Sequence, residues 1–376
     1  MAHVEKRGPG KYRVRYRDPN NKERSKTFAK KVGAERFRAS VENDINRGSW
    51  IPPERGSQTF GHYAQLWLTT LDVKPSTRAN YESHLSKHIL PEFEEMEVSR
   101  IQWLTLETFK NDLLEKGLNP KTVRNVMNPV SLVLRTAVRD GALTTNPARE
   151  VSKPRSNQPK KITPASAEYI LELTNAMADA DRLLVLFATF SGLRAGECGG
   201  LQVSDIDFVG RKINVNRSVS EVHGKAQFTV PKNGKTRTVP LPPFLMTQLS
   251  EHLERRGVSE DPSAQVFTAP NGGIYRQSNF YKRVFKPAVE ATGRSGFVFH
   301  HLRHTYASLL IKEGAHPRVI MERMGHSSIQ ITMNTYGHLF PSEDEETING
   351  LENAFQKANE NASRPVRGLA LVSRTA

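Results

Sequence analysis

Residues 151–161 place the first constraint on this chain. Their sequence, Val-Ser-Lys-Pro-Arg-Ser-Asn-Gln-Pro-Lys-Lys, is polar, basic and proline-punctuated, so it can neither enter a core nor continue a helix. It reads as an extended interdomain linker. The 376 residues are too many for one ordinary core, and this stretch divides them into parts that each bury their own apolar surface. The single cysteine, Cys198, excludes a disulfide framework and a cysteine-based zinc site. The opening Met1-Ala2-His3-Val4-Glu5-Lys6-Arg7 has no apolar secretory region. The longest apolar run, Leu183-Leu184-Val185-Leu186-Phe187-Ala188, is too short to cross a bilayer. A soluble cytoplasmic protein is expected.

The chain carries 54 Lys and Arg against 39 Asp and Glu, a net charge of +15, which speaks of a polyanionic partner rather than of any fold. About half of that excess lies in residues 1–56, with 15 Lys and Arg against 7 Asp and Glu. The basic residues are spread over several segments rather than along one amphipathic helix, which favours nucleic acid over a membrane surface. Within the first block, Tyr12-Arg13-Val14-Arg15-Tyr16-Arg17 alternates as a strand does, with arginines on one face. Asp18-Pro19-Asn20-Asn21 is a turn, Arg24-Ser25-Lys26-Thr27-Phe28 a second strand, and Val32 through Ile45 a helix ending at Arg47-Gly48. We expect a small sheet backed by one helix, with Arg13, Arg15 and Arg17 meeting nucleic acid. Residues 51–57 read as a linker.

Residues 59–150 have helical spacing throughout. Tyr63, Leu66 and Trp67 share one face; a second helix starts at Pro75 and is expected to stop at Pro91. A third runs to Gly117, and a fourth from Pro120 to Asp140-Gly141. Lys74, Arg78, Lys121 and Arg124 decorate this all-helical module as candidate DNA contacts, although any one of them taken alone is better explained as surface charge. After the linker a mixed α+β, mainly helical part is expected to about residue 340, with residues 208–219 and 227–240 as strands of a hairpin region. The acidic run Ser342-Glu343-Asp344-Glu345-Glu346, a helix-like stretch at 348–355 and the apolar Leu369-Ala370-Leu371-Val372 follow.

The chemistry lies in short motifs whose order and spacing matter more than any one residue. Ser191-Gly192-Leu193-Arg194-Ala195-Gly196-Glu197, His300-His301-Leu302-Arg303-His304, Gly325-His326 and Thr335-Tyr336-Gly337-His338 supply two guanidiniums, several imidazoles and a phenol. That set suits attack on a phosphodiester without a metal. Two-metal phosphoryl transfer needs clustered carboxylates, and residues 300–336 offer only Glu313 and Glu322. Arg194 and Arg303 have the planar forks that grip phosphate oxygens. Tyr336 would attack phosphorus and become covalently linked. Glu197, one turn after Arg194, is expected to orient basic groups.

Together with Pro231-Lys232-Asn233-Gly234-Lys235-Thr236-Arg237-Thr238-Val239-Pro240-Leu241, these segments resemble, in order, the motifs of the tyrosine recombinases, or phage-type integrases. The catalytic resemblance covers residues 163–340. The helical module with Lys74-Pro75-Ser76-Thr77 looks like the family's core-binding domain, and the basic first block is similar to the arm-type DNA-binding domain of lambda-like integrases. The resemblance implies four regions: an arm-binding domain at 1–56, a core-binding domain at 57–155, a catalytic domain at 163–340 and a tail at 341–376 able to dock on a neighbouring protomer. It assigns His300 to proton transfer, His326 to a hydrogen bond with phosphate, and Lys232, with Lys235 as the alternative, to protonating the leaving 5′ oxygen. His304 and His338 are taken as structural neighbours of the site. It further implies double-stranded DNA with core-type and arm-type sites, no cofactor or metal, a homotetramer on DNA, and a bacterial host cell. A host DNA-bending factor and a directionality factor are candidate accessory partners. A DNA-binding regulator with a broken site and a type IB topoisomerase are the rival readings.

Overall fold

The computed structural model describes residues 2–48, 50–155, 164–231, 234–340 and 344–362. The chain divides into two compact units, 1–160 and 161–376. Among the described residues no helix is long and apolar enough to cross a membrane.

In the first unit, strands His3–Gly8, Lys11–Arg17 and Glu23–Phe28 form an antiparallel sheet in sequence order. Val14 and Tyr16 are buried on one face, where helix Lys31–Asn46 covers them with Ala34, Phe37 and Val41. Arg13, Arg15 and Arg17 alternate to the other face, opposite Glu5 and Thr27, His3 and Ser25, and Glu23 respectively. The sequence did not announce the first strand, because Val4 is its one apolar residue and leaves no alternation to see. The stretch 51–57 is not a free linker. Pro53–Gly56 is a helical turn; Arg24 binds Asp18 at 2.8 Å and also Glu54, and Arg55 donates to the Asp140 carbonyl.

Helices Phe60–Thr69, Trp103–Glu115 and Pro120–Arg139 bury Tyr63, Trp67, Phe109, Val126, Val130 and Leu134 in a second core, against which helix Pro75–His84 packs the half-buried Tyr81, whereas Leu66 is exposed. Pro91 does not end the helix that starts at Pro75. A π-helical turn at Leu85–Ile89 shifts the bonding so that the Leu90 amide donates to Leu85, and helix resumes at Leu90–Phe93. Pro91 thereby falls in a first turn, where its missing N–H costs nothing. Tyr281–Phe285 ahead of Pro287 repeats the device. The beginning of the 151–161 stretch is pinned: the Ser152 hydroxyl donates to Glu107 at 2.6 Å, and Lys110 donates to it at 2.5 Å.

In the second unit, helices Asp179–Ser191 and Phe299–Lys312 pack together inside the largest core. The hairpin region is more broken than expected. Ile206–Asp207, Lys212–Val215 and Arg237–Pro240 form one antiparallel sheet, while Ser218–Val222 and Lys225–Thr229 pair separately. The run 208–219 cannot be one strand, because the chain turns at 208–211 and Arg211 takes a positive φ of 48°. A final helix spans Asp344–Ala362, and Leu369 to Val372 lie outside the described residues.

Gly192 ends the Asp179–Ser191 helix with φ 64°, and a Cβ there would meet Tyr306 at 2.2 Å. Gly192→Ala is therefore expected to destabilise the protein by about 3 kcal/mol through left-handed strain and overpacking, read as a lower urea midpoint.

Candidate active site

Arg194 stands two residues after that glycine and caps the short helix Ala195–Gly200. The helix is glycine-rich because it lies against the hairpin backbone; a Cβ on Gly196 would come within 2.5 Å of the Val219 carbonyl. Glu197 reaches back from it. Its carboxylate accepts from the Arg194 amide at 2.9 Å and from Arg194 Nη1 at 2.9 Å. It also accepts from Arg237 at 3.1 and 2.7 Å. Burial would raise the Glu197 pKa, but Arg237 and Arg194 outweigh it and hold the carboxyl at about 2. Arg237 was not singled out from the sequence. Its Nε donates to the Arg323 carbonyl at 2.8 Å, so one guanidinium fastens the Glu197 carboxylate to the end of helix Pro317–Met324. Arg194 Nη2 reaches the Gly325 carbonyl at 3.4 Å.

Arg303 is 2 % exposed. It donates to the Gly192 carbonyl at 2.5 Å and to the Met324 carbonyl, and burial lowers its pKa to about 9. In this arrangement two of its donors bind the protein itself, which narrows the fork available to a phosphate.

Tyr336 ends helix Ile329–Tyr336 and is 1 % exposed. Its Oη lies 2.6 Å from His304 Nδ1, and its ring stacks on His326 at 6.4 Å. Burial raises the phenol pKa to about 12, with Arg303 opposing the shift. Burial, reinforced by the cationic neighbourhood, lowers both His304 and His326 to about 4. Both imidazoles are therefore neutral at physiological pH and the phenol keeps its proton. His300 stands one turn before His304, with ring centres 4.9 Å apart.

Buried Thr332 was also missed. Its Oγ1 is 2.9 Å from His326 Nδ1. When that hydroxyl donates, the ring proton sits on Nε2, free for an outside acceptor. Thr332→Val, nearly equal in volume, is expected to slow covalent DNA capture about 10-fold while costing about 1 kcal/mol of stability. A timed gel assay beside a urea titration separates the two effects.

Lys232 lies outside the described residues. Lys235 is exposed, two positions before Arg237. Of the candidate DNA contacts, Arg15 faces Glu5 and Glu23 at 3.7 Å each, Arg17 bonds Asn21 at 3.2 Å, and Arg78 pairs with Glu82 at 2.9 Å. Arg124 donates to the Pro154 carbonyl at 3.3 Å. Lys74 and Lys121 stand at the starts of helices Pro75–His84 and Pro120–Arg139.

Comparison with known proteins gives the same grouping. The Phage integrase family matches residues 160–343, and the phage integrase N-terminal SAM-like domain matches 59–114. A tyrosine recombinase XerC-like protein of Caldanaerobacter subterraneus subsp. tengcongensis is 30% identical over 386 residues, covering 93% of this chain and 98% of that one. A putative prophage phiRv2 integrase of Mycobacterium tuberculosis is 28% identical, covering 90% and 91%. The fold resembles the Tn1549 transposon integrase in complex with transposon right end DNA, with a TM-score of 0.66, 20% identity, and 80% and 100% of the two chains covered. It also resembles a lambda integrase tetramer bound to a Holliday junction, with a TM-score of 0.58, 20% identity, and 86% and 95% covered. The chain belongs to the phage integrase family. It is a site-specific recombinase of the tyrosine type.

Proposed function

We propose that the protein breaks one strand of a core-type DNA site by attack of Tyr336 on phosphorus, holds the end as a 3′-phosphotyrosine, and rejoins it to a partner strand. The observation that carries this reading is the meeting, from motifs far apart in sequence, of Tyr336 with His304 and His326 in the field of Arg303. Arg194 and Arg303 stabilise the charge of the pentacoordinate transition state. His326 donates to a phosphate oxygen, His300 serves proton transfer, and Lys232, or Lys235, protonates the departing 5′ oxygen. Glu197 keeps Arg194 in place. The phosphotyrosine conserves bond energy, so the cycle runs without ATP.

The relatives named as prophage and transposon integrases support a prophage or other mobile element as the DNA that is integrated or excised. Regions 1–56, 57–155 and 163–340 act as arm-binding, core-binding and catalytic domains. Arg13, Arg15 and Arg17 meet arm-type DNA, while Lys74, Arg78, Lys121 and Arg124 meet the core site. Exchange between two duplexes needs four active sites, hence a homotetramer on DNA, with host bending and directionality factors as accessories in the bacterial cytoplasm. The exposed Ile348, Leu351 and Phe355, which share one face of the last helix, suit a tail that docks on a neighbouring protomer. Binding will weaken steeply with salt as phosphate contacts release counterions.

The test is a nicked core-site duplex from the attachment region beside the gene, run on a denaturing gel with EDTA present. A covalent adduct whose linked peptide contains Tyr336 is expected. Clear binding to verified core-site DNA without an adduct would make the protein a regulator instead, and an adduct lost in EDTA would sink the metal-free mechanism.

A further inference from the structure

If Tyr336 attacks phosphorus, its phenolic proton must go somewhere, and the site holds an acceptor, His304, in direct hydrogen-bond contact with the phenol. We propose that His304 is the base for the nucleophile: its Nδ1 takes the Tyr336 proton as the Oη–phosphorus bond forms. This rests on the reading of Tyr336 as nucleophile. Three observations carry it. The Oη–Nδ1 distance is 2.6 Å, short enough for direct transfer. The phenol is 1 % exposed, so its donor is turned to protein rather than to bulk water. His304 lies next to Arg303 on helix Phe299–Lys312, so the base and the guanidinium move as one body.

The step balances. The Oη–phosphorus bond forms, the phosphorus–O5′ bond breaks, the phenolic proton passes to Nδ1, and the departing oxygen takes its proton from the lysine. On rejoining, the His304 imidazolium returns the proton to Tyr336 as the 5′-hydroxyl displaces it. His304 is faced by His300, His301 and Arg303 from its own helix, by His326 from the segment after Pro317–Met324, and by Tyr336 from Ile329–Tyr336. Without DNA this surrounding disfavours an imidazolium, which keeps Nδ1 open as an acceptor. An arriving phosphodiester adds negative charge to the same field, and bonding to phosphorus acidifies the phenol. Proton transfer becomes favourable in the transition state, where it is needed.

The experiment uses a core-site duplex with a 5′-bridging phosphorothiolate at the cleavage point, whose sulfur leaves without an acid. Adduct formation is timed in a single turnover from pH 6 to 8, below the range in which Arg303 would lose its charge, for the wild type, His304→Gln, His304→Asn and His300→Gln. The wild-type rate is expected to be flat with pH. Both His304 variants should bind DNA normally yet react about 100-fold slower at pH 7, rising about tenfold per pH unit as hydroxide replaces the lost base. His300→Gln should not acquire that slope. His304 variants that match the wild type, or lack the slope, overturn the proposal. Faster adduct formation would make the hydrogen bond a restraint on Tyr336 instead. Should neither variant bind DNA, the wild type decides: a solvent deuterium effect of about 2 on the sulfur substrate supports proton transfer in the step, and none refutes it. A wild type that forms no adduct at all fails the reading of Tyr336, not the assignment of its base.

Discussion

Tyr336→Phe is expected to remove the covalent protein–DNA adduct entirely while leaving a folded, DNA-binding protein. The substitution deletes one oxygen, the atom that would bond to phosphorus, and removing a nucleophile costs on the order of 10⁶ in rate. The ring itself stays, packed with Tyr306, Ala307, Ile311, Ile320 and Met324. What stability loses is one hydrogen bond, with His304 Nδ1 left unpartnered, about 1 kcal/mol. A denaturing gel beside a native gel checks both halves. An adduct that persisted in the variant would move the nucleophile to another side chain.

Glu197→Gln is expected to damage fold and chemistry together. The carboxylate is 2 % exposed and is shared between Arg194 and Arg237, so its neutral counterpart leaves two guanidiniums facing each other without a counter-charge. Its hold near pKa 2, against 4.5 unperturbed, corresponds to about 3 kcal/mol. Because the folded pKa is the lower one, this contribution is complete above about pH 5.5 and disappears as pH falls toward 2. The variant's urea midpoint should thus lie well below the wild type's at pH 7, the gap closing as acid protonates Glu197. Adduct formation should slow about 100-fold as the Arg194 fork loses its anchor. A pH-independent gap would mean that shape rather than charge matters at this position.

The sequence was most legible where a local signal had a local cause. The helix from Pro120 to Arg139 shows in its apolar period, its start at Pro120 and its close at Asp140-Gly141, and the order of the Arg194, Arg303, His326 and Tyr336 motifs was visible because each is a few residues long. Legibility failed where distant partners decided. Pro91 looks like a stop because a π-turn leaves no mark in composition. Arg237 sits in a segment quoted for its lysines, and only the buried Glu197, forty residues away, gives it a task. His304 passed for a neighbour because nothing in His-Leu-Arg-His says which imidazole will meet a phenol on another helix. A buried glutamate with two arginines in reach was the one signal that could have pointed to Arg237.

Arg303 ties the carbonyl of Gly192, two residues before Arg194, to that of Met324, two residues before His326. The same guanidinium is thus both rivet and tool. Relatives that keep DNA binding but shed catalysis have an uneven choice: losing the phenol of Tyr336 silences the enzyme with the frame intact, whereas losing Arg303 loosens the loops that present the site. Decayed copies of such a chain should therefore show their first lesions at the tyrosine, and an inactive protein for trapping DNA complexes is better made there.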